Sequence, residues 1–162
     1  MEFADGKILA EIKDGVGRIT FNQPEKRNAM SVTMWGGMGA ALDIFEKDES
    51  VRCVVLTGAG DKAFCTGGDQ SAHEGQYDGR GIIGLPLEEM QSVIRDVPKP
   101  VIARVNGFAI GGGNVLATIC DLTICSDKAI FGQVGPKVGS VDPGFGTAYM
   151  ARCIGEKRAR EI

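Results

Sequence analysis

The sequence predicts an α/β fold, and three observations carry that expectation. Apolar runs of strand length alternate with helical stripes in the order β-β-α-β-α-β-α-β-β-α. Val51–Thr57 is almost continuously apolar, the pattern of a strand covered on both faces. Seventeen of the 24 glycines fall between Gly58 and Gly146, in the connections rather than in the strands. Glycine there permits positive φ and a close approach of backbone to a ligand.

Each element has its own signal. Lys7–Lys13 and Val16–Asn22 are β-rich and join at Asp14-Gly15, a hairpin turn. Gln23 to Asn28 breaks the pattern. Ser31 then caps a helix that runs to about Lys47, with Met34, Met38, Ala41, Leu42 and Phe45 as its apolar stripe. The Gly36-Gly37 pair weakens that helix and implies close packing. After the strand at Val51–Thr57 a long glycine-bearing segment extends to Gly84. Leu87–Val97 reads as a helix stopped by Pro98, Pro100–Val105 as a strand, and Gly111–Thr118 as the start of a helix. Leu122–Cys125 and Ala129–Phe131 are short strands, and Gly146–Ile162 is mostly helical. The 162 residues read as one domain, with no repeat, linker or low-complexity tract.

Composition excludes several classes. A chain that is 43% hydrophobic and 24% charged has enough apolar material to fold. Its formal net charge of -3 is no footprint for nucleic acid or anionic lipid, and no apolar run is long enough to span a bilayer. Without a signal-peptide pattern, five cysteines point to a reducing, cytoplasmic setting. Cys53, Cys120 and Cys125 sit among Val, Ile and Leu and read as small core residues. With His73 as the single histidine there is no metal-ligand cluster.

Two motifs are decoys. Gly58-Ala59-Gly60-Asp61-Lys62-Ala63 fits a dinucleotide fingerprint but runs into turn-like sequence where a helix is required. Cys65 near His73 suggests a thiol nucleophile, yet no third group orients the pair.

Two other segments are more specific, Ala63-Phe64-Cys65-Thr66-Gly67-Gly68-Asp69 and Asn106-Gly107-Phe108-Ala109-Ile110-Gly111-Gly112-Gly113. Each reads as a strand-end turn with paired glycines. Together they can aim two N–H donors at one oxygen, which suits developing negative charge. With Phe21 to Met30, Pro98 to Ala103 and Cys120-Asp121-Leu122, they resemble the crotonase, or enoyl-CoA hydratase/isomerase, superfamily. That resemblance implies a ClpP/crotonase-like spiral of β-β-α units, with residues 1–162 forming the N-terminal core and the C-terminal helical part missing. It also implies an acyl-CoA substrate, with coenzyme A as part of it and no covalently bound cofactor. The assembly it implies is a homotrimer or hexamer.

In the family a thioester carbonyl sits between two backbone amides, here those of Gly68 and Gly112. Its hydratases add water with two glutamates, but this chain has Val115 and Gly135 at those positions. Neither can move a proton. The stretch Phe131 to Asp142 instead resembles a branch that handles C–C bonds of β-keto acyl-CoA thioesters. In that branch the residues at Ser140 and Asp142 are active-site polar groups. Departures at Ser71 to Glu74, and Val134 where the ring-closing 1,4-dihydroxy-2-naphthoyl-CoA synthases have Thr, place the chain nearer the ring-opening 2-ketocyclohexanecarboxyl-CoA hydrolases. Loss of that hydroxyl also disfavours bicarbonate as a cofactor. The implied substrate contacts are Gly67, Asp69, Gln70, Tyr77, Gln133 and Gly135, with Lys26 and Arg27 at the CoA phosphates. His73 reads as a loop residue. Three readings stay open beside ring opening: naphthoyl-CoA synthesis, a generic hydratase or isomerase, and a non-catalytic RNA-binding or interaction module. The acidic balance disfavours RNA.

Overall fold

The computed structural model describes residues 1–69, 71, 87–138 and 145–162. The chain opens with β1 (Glu2–Phe3), β2 (Ile8–Lys13) and β3 (Val16–Phe21), then a 3₁₀ turn at Pro24–Lys26 and α1 (Val32–Lys47). β4 (Cys53–Gly58), β5 (Ala63–Cys65) and α2 (Leu87–Asp96) follow. Next come β6 (Val101–Val105), β7 (Phe108–Ile110) and α3 (Gly112–Ile119). The last elements are β8 (Leu122–Cys125), β9 (Ile130–Gly132), α4 (Gly135–Val138), α5 (Gly146–Ile154) and α6 (Glu156–Glu161).

Among the described residues two sheets form, a six-stranded one ordered β1-β2-β3-β4-β6-β8 and a three-stranded one ordered β5-β7-β9. β1 to β3 pair antiparallel, while β3-β4-β6-β8 and β5-β7-β9 are parallel. Each repeat adds one strand to each sheet before its helix: β4 then β5, β6 then β7, β8 then β9. This is the spiral of β-β-α units expected from the sequence. The small sheet was not expected, because β5 and β7 lie in segments that read as turns. Three residues are too few to display a period of two.

α1 begins where the sequence placed it. The Ser31 hydroxyl accepts from Met34 N at 3.3 Å, and Met34, Met38, Ala41, Leu42 and Phe45 are all buried. At its other end the Lys99 ammonium donates to the carbonyls of Phe45 (2.6 Å) and Asp48 (2.7 Å), satisfying terminal groups that the helix leaves open. The core joins the α1 stripe to the inner face of the large sheet, where Ile8, Ile19, Val54, Leu56 and Ala103 are fully or almost fully buried.

Two expectations need correction. Val54 and Leu56 are fully buried, but on the opposite face of β4 Cys53 and Val55 are only partly so, and burial there is reached at Thr57. Of the three cysteines read as core residues, Cys120 is buried, Cys53 is intermediate and Cys125 is exposed. Cys125 lies on β8, the last strand of the sheet, where Leu122 and Ile124 are 59% and 62% exposed. The C-terminal stretch is mostly helical as expected, with a break at Gly155, whose φ of +82° ends α5 before α6 begins. No helix among the described residues is long and apolar enough to cross a membrane.

Candidate active site

The site forms where β5 and β7 deliver their C-terminal turns to the first residue of α3. After Cys65 the backbone passes through Gly67 at φ +92°, a conformation that a side chain strains against. Gly68 then makes a single parallel bridge to Met30. Met30 N donates to Gly67 O at 2.8 Å, and Asp69 N donates to Met30 O at 3.0 Å. With both neighbouring groups turned toward Met30, the Gly68 amide turns to the opposite side.

That side belongs to α3. Gly111 caps the helix at φ +56° and ψ -120°, and its own N–H donates to Gly132 O at 2.9 Å. Gly112 is the first helical residue, and its N–H has no acceptor among the described residues. The two turns touch closely. A Cβ placed on Gly112 would lie 3.3 Å from Gly67 Cα and 3.9 Å from Gly68 N, and one placed on Gly67 would lie 3.2 Å from Gly112 N. At Gly113 a Cβ would collide with the Cys65 carbonyl, so α3 can seat on β5 only with glycine there. Two amides placed this way, one at a helix N-terminus, suit an oxygen that gains negative charge.

A polar frame supports the first turn. Lys26 Nζ donates to Asp69 Oδ2 at 2.8 Å and to Ser71 Oγ at 2.7 Å. Ser71 donates to Asp69 Oδ1 through both N (3.0 Å) and Oγ (2.6 Å). The Lys26 hydrogen bond, helped by Ser71, holds the buried Asp69 carboxyl well below the usual carboxylate range despite desolvation. Asn28, fully buried at φ +56°, accepts from Gln23 N at 3.0 Å and donates to the carbonyls of Ala59 (3.0 Å) and Ala63 (2.8 Å). Asn106 donates to Gly60 O at 2.8 Å and to Ala63 O at 3.2 Å. Both asparagines lie inside the segments singled out in the sequence, where little in the local sequence marks their task. The available signal was an amide beside glycine-rich turns, where asparagine tolerates left-handed backbone and bonds its carbonyls.

The structure gathers Gly67, Gly68, Asp69 and Gly112 at one place. Val134 borders them, since a Cβ on Gly111 would be 3.8 Å from Val134 Cγ2. Gln133 follows β9 and its N–H donates to Ile162 O at 2.9 Å, while Gly135 starts α4. Val115 is 3% exposed and brings no acid or base to the first turn of α3. Lys26 faces Asp69. The side chain of Arg27 is exposed, and its backbone carbonyl accepts from Thr66 Oγ1 at 3.3 Å. Gln70, His73, Tyr77, Ser140 and Asp142 lie outside the described residues. A separate cleft of about 270 Å³, lined by Pro24, Glu25, Asn28, and Ala59 through Ala63, contains neither Gly68 nor Gly112.

The decoys resolve physically. Gly58 to Lys62 bends into β5 and opens no helix, so the dinucleotide pattern lacks its phosphate-binding end. Burial pushes the Cys65 thiol up to about 12, which removes it as a nucleophile near neutrality. No group of three or more potential metal ligands occurs among the described residues.

A two-sheet β-β-α spiral with glycine turns converging on a helix N-terminus defines a class of chain that other proteins share. The family model for enoyl-CoA hydratase/isomerase matches residues 11–162. An enoyl-CoA hydratase subunit I from Geobacillus kaustophilus HTA426 is 36% identical with a TM-score of 0.86, covering 96% of this chain and 60% of that one. An enoyl-CoA hydratase/isomerase from Xanthobacter autotrophicus Py2 is also 36% identical, with a TM-score of 0.83 and coverage of 96% and 58%. An enoyl-CoA hydratase/carnithine racemase from Magnetospirillum magneticum is 29% identical, with a TM-score of 0.86 and coverage of 99% and 61%. The chain belongs to the enoyl-CoA hydratase/isomerase family, the crotonase superfamily. It spans about 60% of the length of these solved relatives.

Proposed function

We propose that the protein acts on an acyl-CoA thioester and stabilises its enolate with the amides of Gly68 and Gly112. The favoured reaction is hydrolytic ring opening of 2-ketocyclohexanecarboxyl-CoA to pimeloyl-CoA. The observation that carries the first part is the approach of the Gly67–Gly68 turn to Gly112 at the start of α3. Water adds to the ring ketone, the bond between that carbon and the α-carbon breaks, and its electron pair enters the thioester. The former ketone carbon becomes the carboxylate at the far end of the same acyl chain, and the enolate takes a proton at the α-carbon. Preformed donors at the thioester oxygen contribute about 3–4 kcal/mol each in comparable sites. Asp142 and Ser140 are assigned to the water by resemblance. Coenzyme A enters as part of the substrate, and Gln70, Tyr77, Gln133 and Gly135 are assigned to the acyl side.

Two features support ring opening, the first against hydration and the second against ring closure. Val115 and Gly135 leave the site without the acid and base that hydration uses. Val134 puts methyl groups against the Gly111 turn, where the ring-closing branch has a hydroxyl. The hydratase names of the relatives favour hydration as the second reading. Incubation with 2-ketocyclohexanecarboxyl-CoA and mass analysis of the product tests the choice. A gain of one water is expected. No turnover of this substrate, with hydration of a simple enoyl-CoA or ring closure of o-succinylbenzoyl-CoA instead, overturns it.

A further inference from the structure

We propose that Lys26 is a positioning residue for the Gly68 amide, acting through Asp69 and Ser71 and not as a ligand for the CoA phosphates. This rests on the reading of Gly68 and Gly112 as donors to a thioester oxygen. A bridge to Met30 fixes the peptide on each side of Gly68. The side chain of Asp69 supplies a further anchor. Its Oδ2 takes the Lys26 ammonium and its Oδ1 takes both donors of Ser71, so the residues just after Gly68 are tied at three points.

The anchor is itself fixed. Lys26 ends the 3₁₀ turn, with its N–H on Gln23 O at 3.0 Å. Asn28 closes that turn onto Gln23 and bolts it to Ala59 and Ala63. A rigid loop therefore presents a cation at a set height beside the donor strand. The same contacts argue against a phosphate role. An ammonium has three donors, and here two are engaged by Asp69 and Ser71. Its charge is balanced by a carboxylate that is 90% buried, so an approaching phosphate meets a neutral pair.

Isotope-edited infrared spectroscopy of acetyl-CoA carrying a ¹³C-labelled carbonyl tests this without requiring turnover. Wild type lowers the carbonyl stretch on binding. Lys26→Met loses more than half of that lowering, and its affinity for acetyl-CoA and for acetyl-3′-dephospho-CoA changes to the same extent. Lys26→Arg recovers most of the lowering, Asp69→Asn matches Lys26→Met, and the double variant is no worse than either. Should Lys26→Met fail to fold, Asp69→Asn and Ser71→Ala provide the same readout. A full carbonyl shift in Lys26→Met overturns the proposal. So does an affinity loss confined to the ligand that carries the 3′-phosphate. Absence of any shift in wild type overturns the reading of Gly68 and Gly112, and this proposal with it.

Discussion

Asn28 and Asn106 donate to the same acceptor, the carbonyl of Ala63, at 2.8 and 3.2 Å. One comes from the loop before α1 and the other from the turn between β6 and β7, so the first residue of β5 is held from both sides. Asn28→Ala removes three hydrogen bonds at a fully buried position. A loss of about 3 kcal/mol in urea unfolding is expected, against about 1–2 kcal/mol for the more exposed Asn106→Ala. Asn28→Asp does no better than alanine, because its carboxylate faces the carbonyls of Ala59 and Ala63.

Glycine substitutions separate flexibility from packing. A Cβ on Gly36 or Gly39, both inside α1, meets nothing within 4 Å. Each Gly→Ala change there stabilises the protein by about 0.5–1 kcal/mol. Gly37→Ala, one residue away, gives no such gain because its Cβ meets Phe3 Cβ at 2.9 Å. Thermal melting of the three variants distinguishes these outcomes, and equal shifts would show that α1 packs differently.

These contrasts mark what the sequence could reveal. α1 was legible because sixteen residues carry a helical stripe and a serine cap, so local and tertiary signals agree. The glycine turns were legible because positive φ and close approach leave few other residues. The Gly36-Gly37 pair was half legible: only Gly37 packs closely, and which glycine faces a neighbour is decided by β1. The small sheet was hidden, since β5 and β7 gain their identity from each other. Cys125 looked like core because composition cannot show that its strand lies at an edge. The Lys26–Asp69 pair spans 43 residues and exists only once the fold brings the two loops together.

Thiol chemistry should divide the cysteines. Cys65 and Cys120 are buried, and burial pushes both up to about 12. At pH 8 their thiolate fraction is ~10⁻⁴, and the buried sulfurs are shielded as well. Cys125 and Cys153 are exposed. A disulfide reagent at pH 8 is expected to label Cys125 and Cys153 quickly and Cys65 and Cys120 only after denaturation. Rapid labelling of Cys65 in the folded protein would return it to consideration as a nucleophile.

Acid should release the support beside Gly68. The carboxyl of Asp69 lies below its usual range when folded, chiefly through the Lys26 hydrogen bond and then Ser71, and near 3.9 when unfolded. The unfolded chain therefore binds the proton first, and stability falls as pH falls. The contribution is complete above about pH 5 and is lost as pH drops through about 4 toward the folded value. Lys26 is 46% exposed, so solvent screening limits the pair to about 1–2 kcal/mol. Unfolding free energies of wild type and Asp69→Asn should therefore differ by that amount at pH 7, with the gap shrinking steadily as pH falls below about 4. A gap that does not change between pH 7 and pH 2 would assign the effect to packing of the side chain and remove the ionised carboxylate from the account.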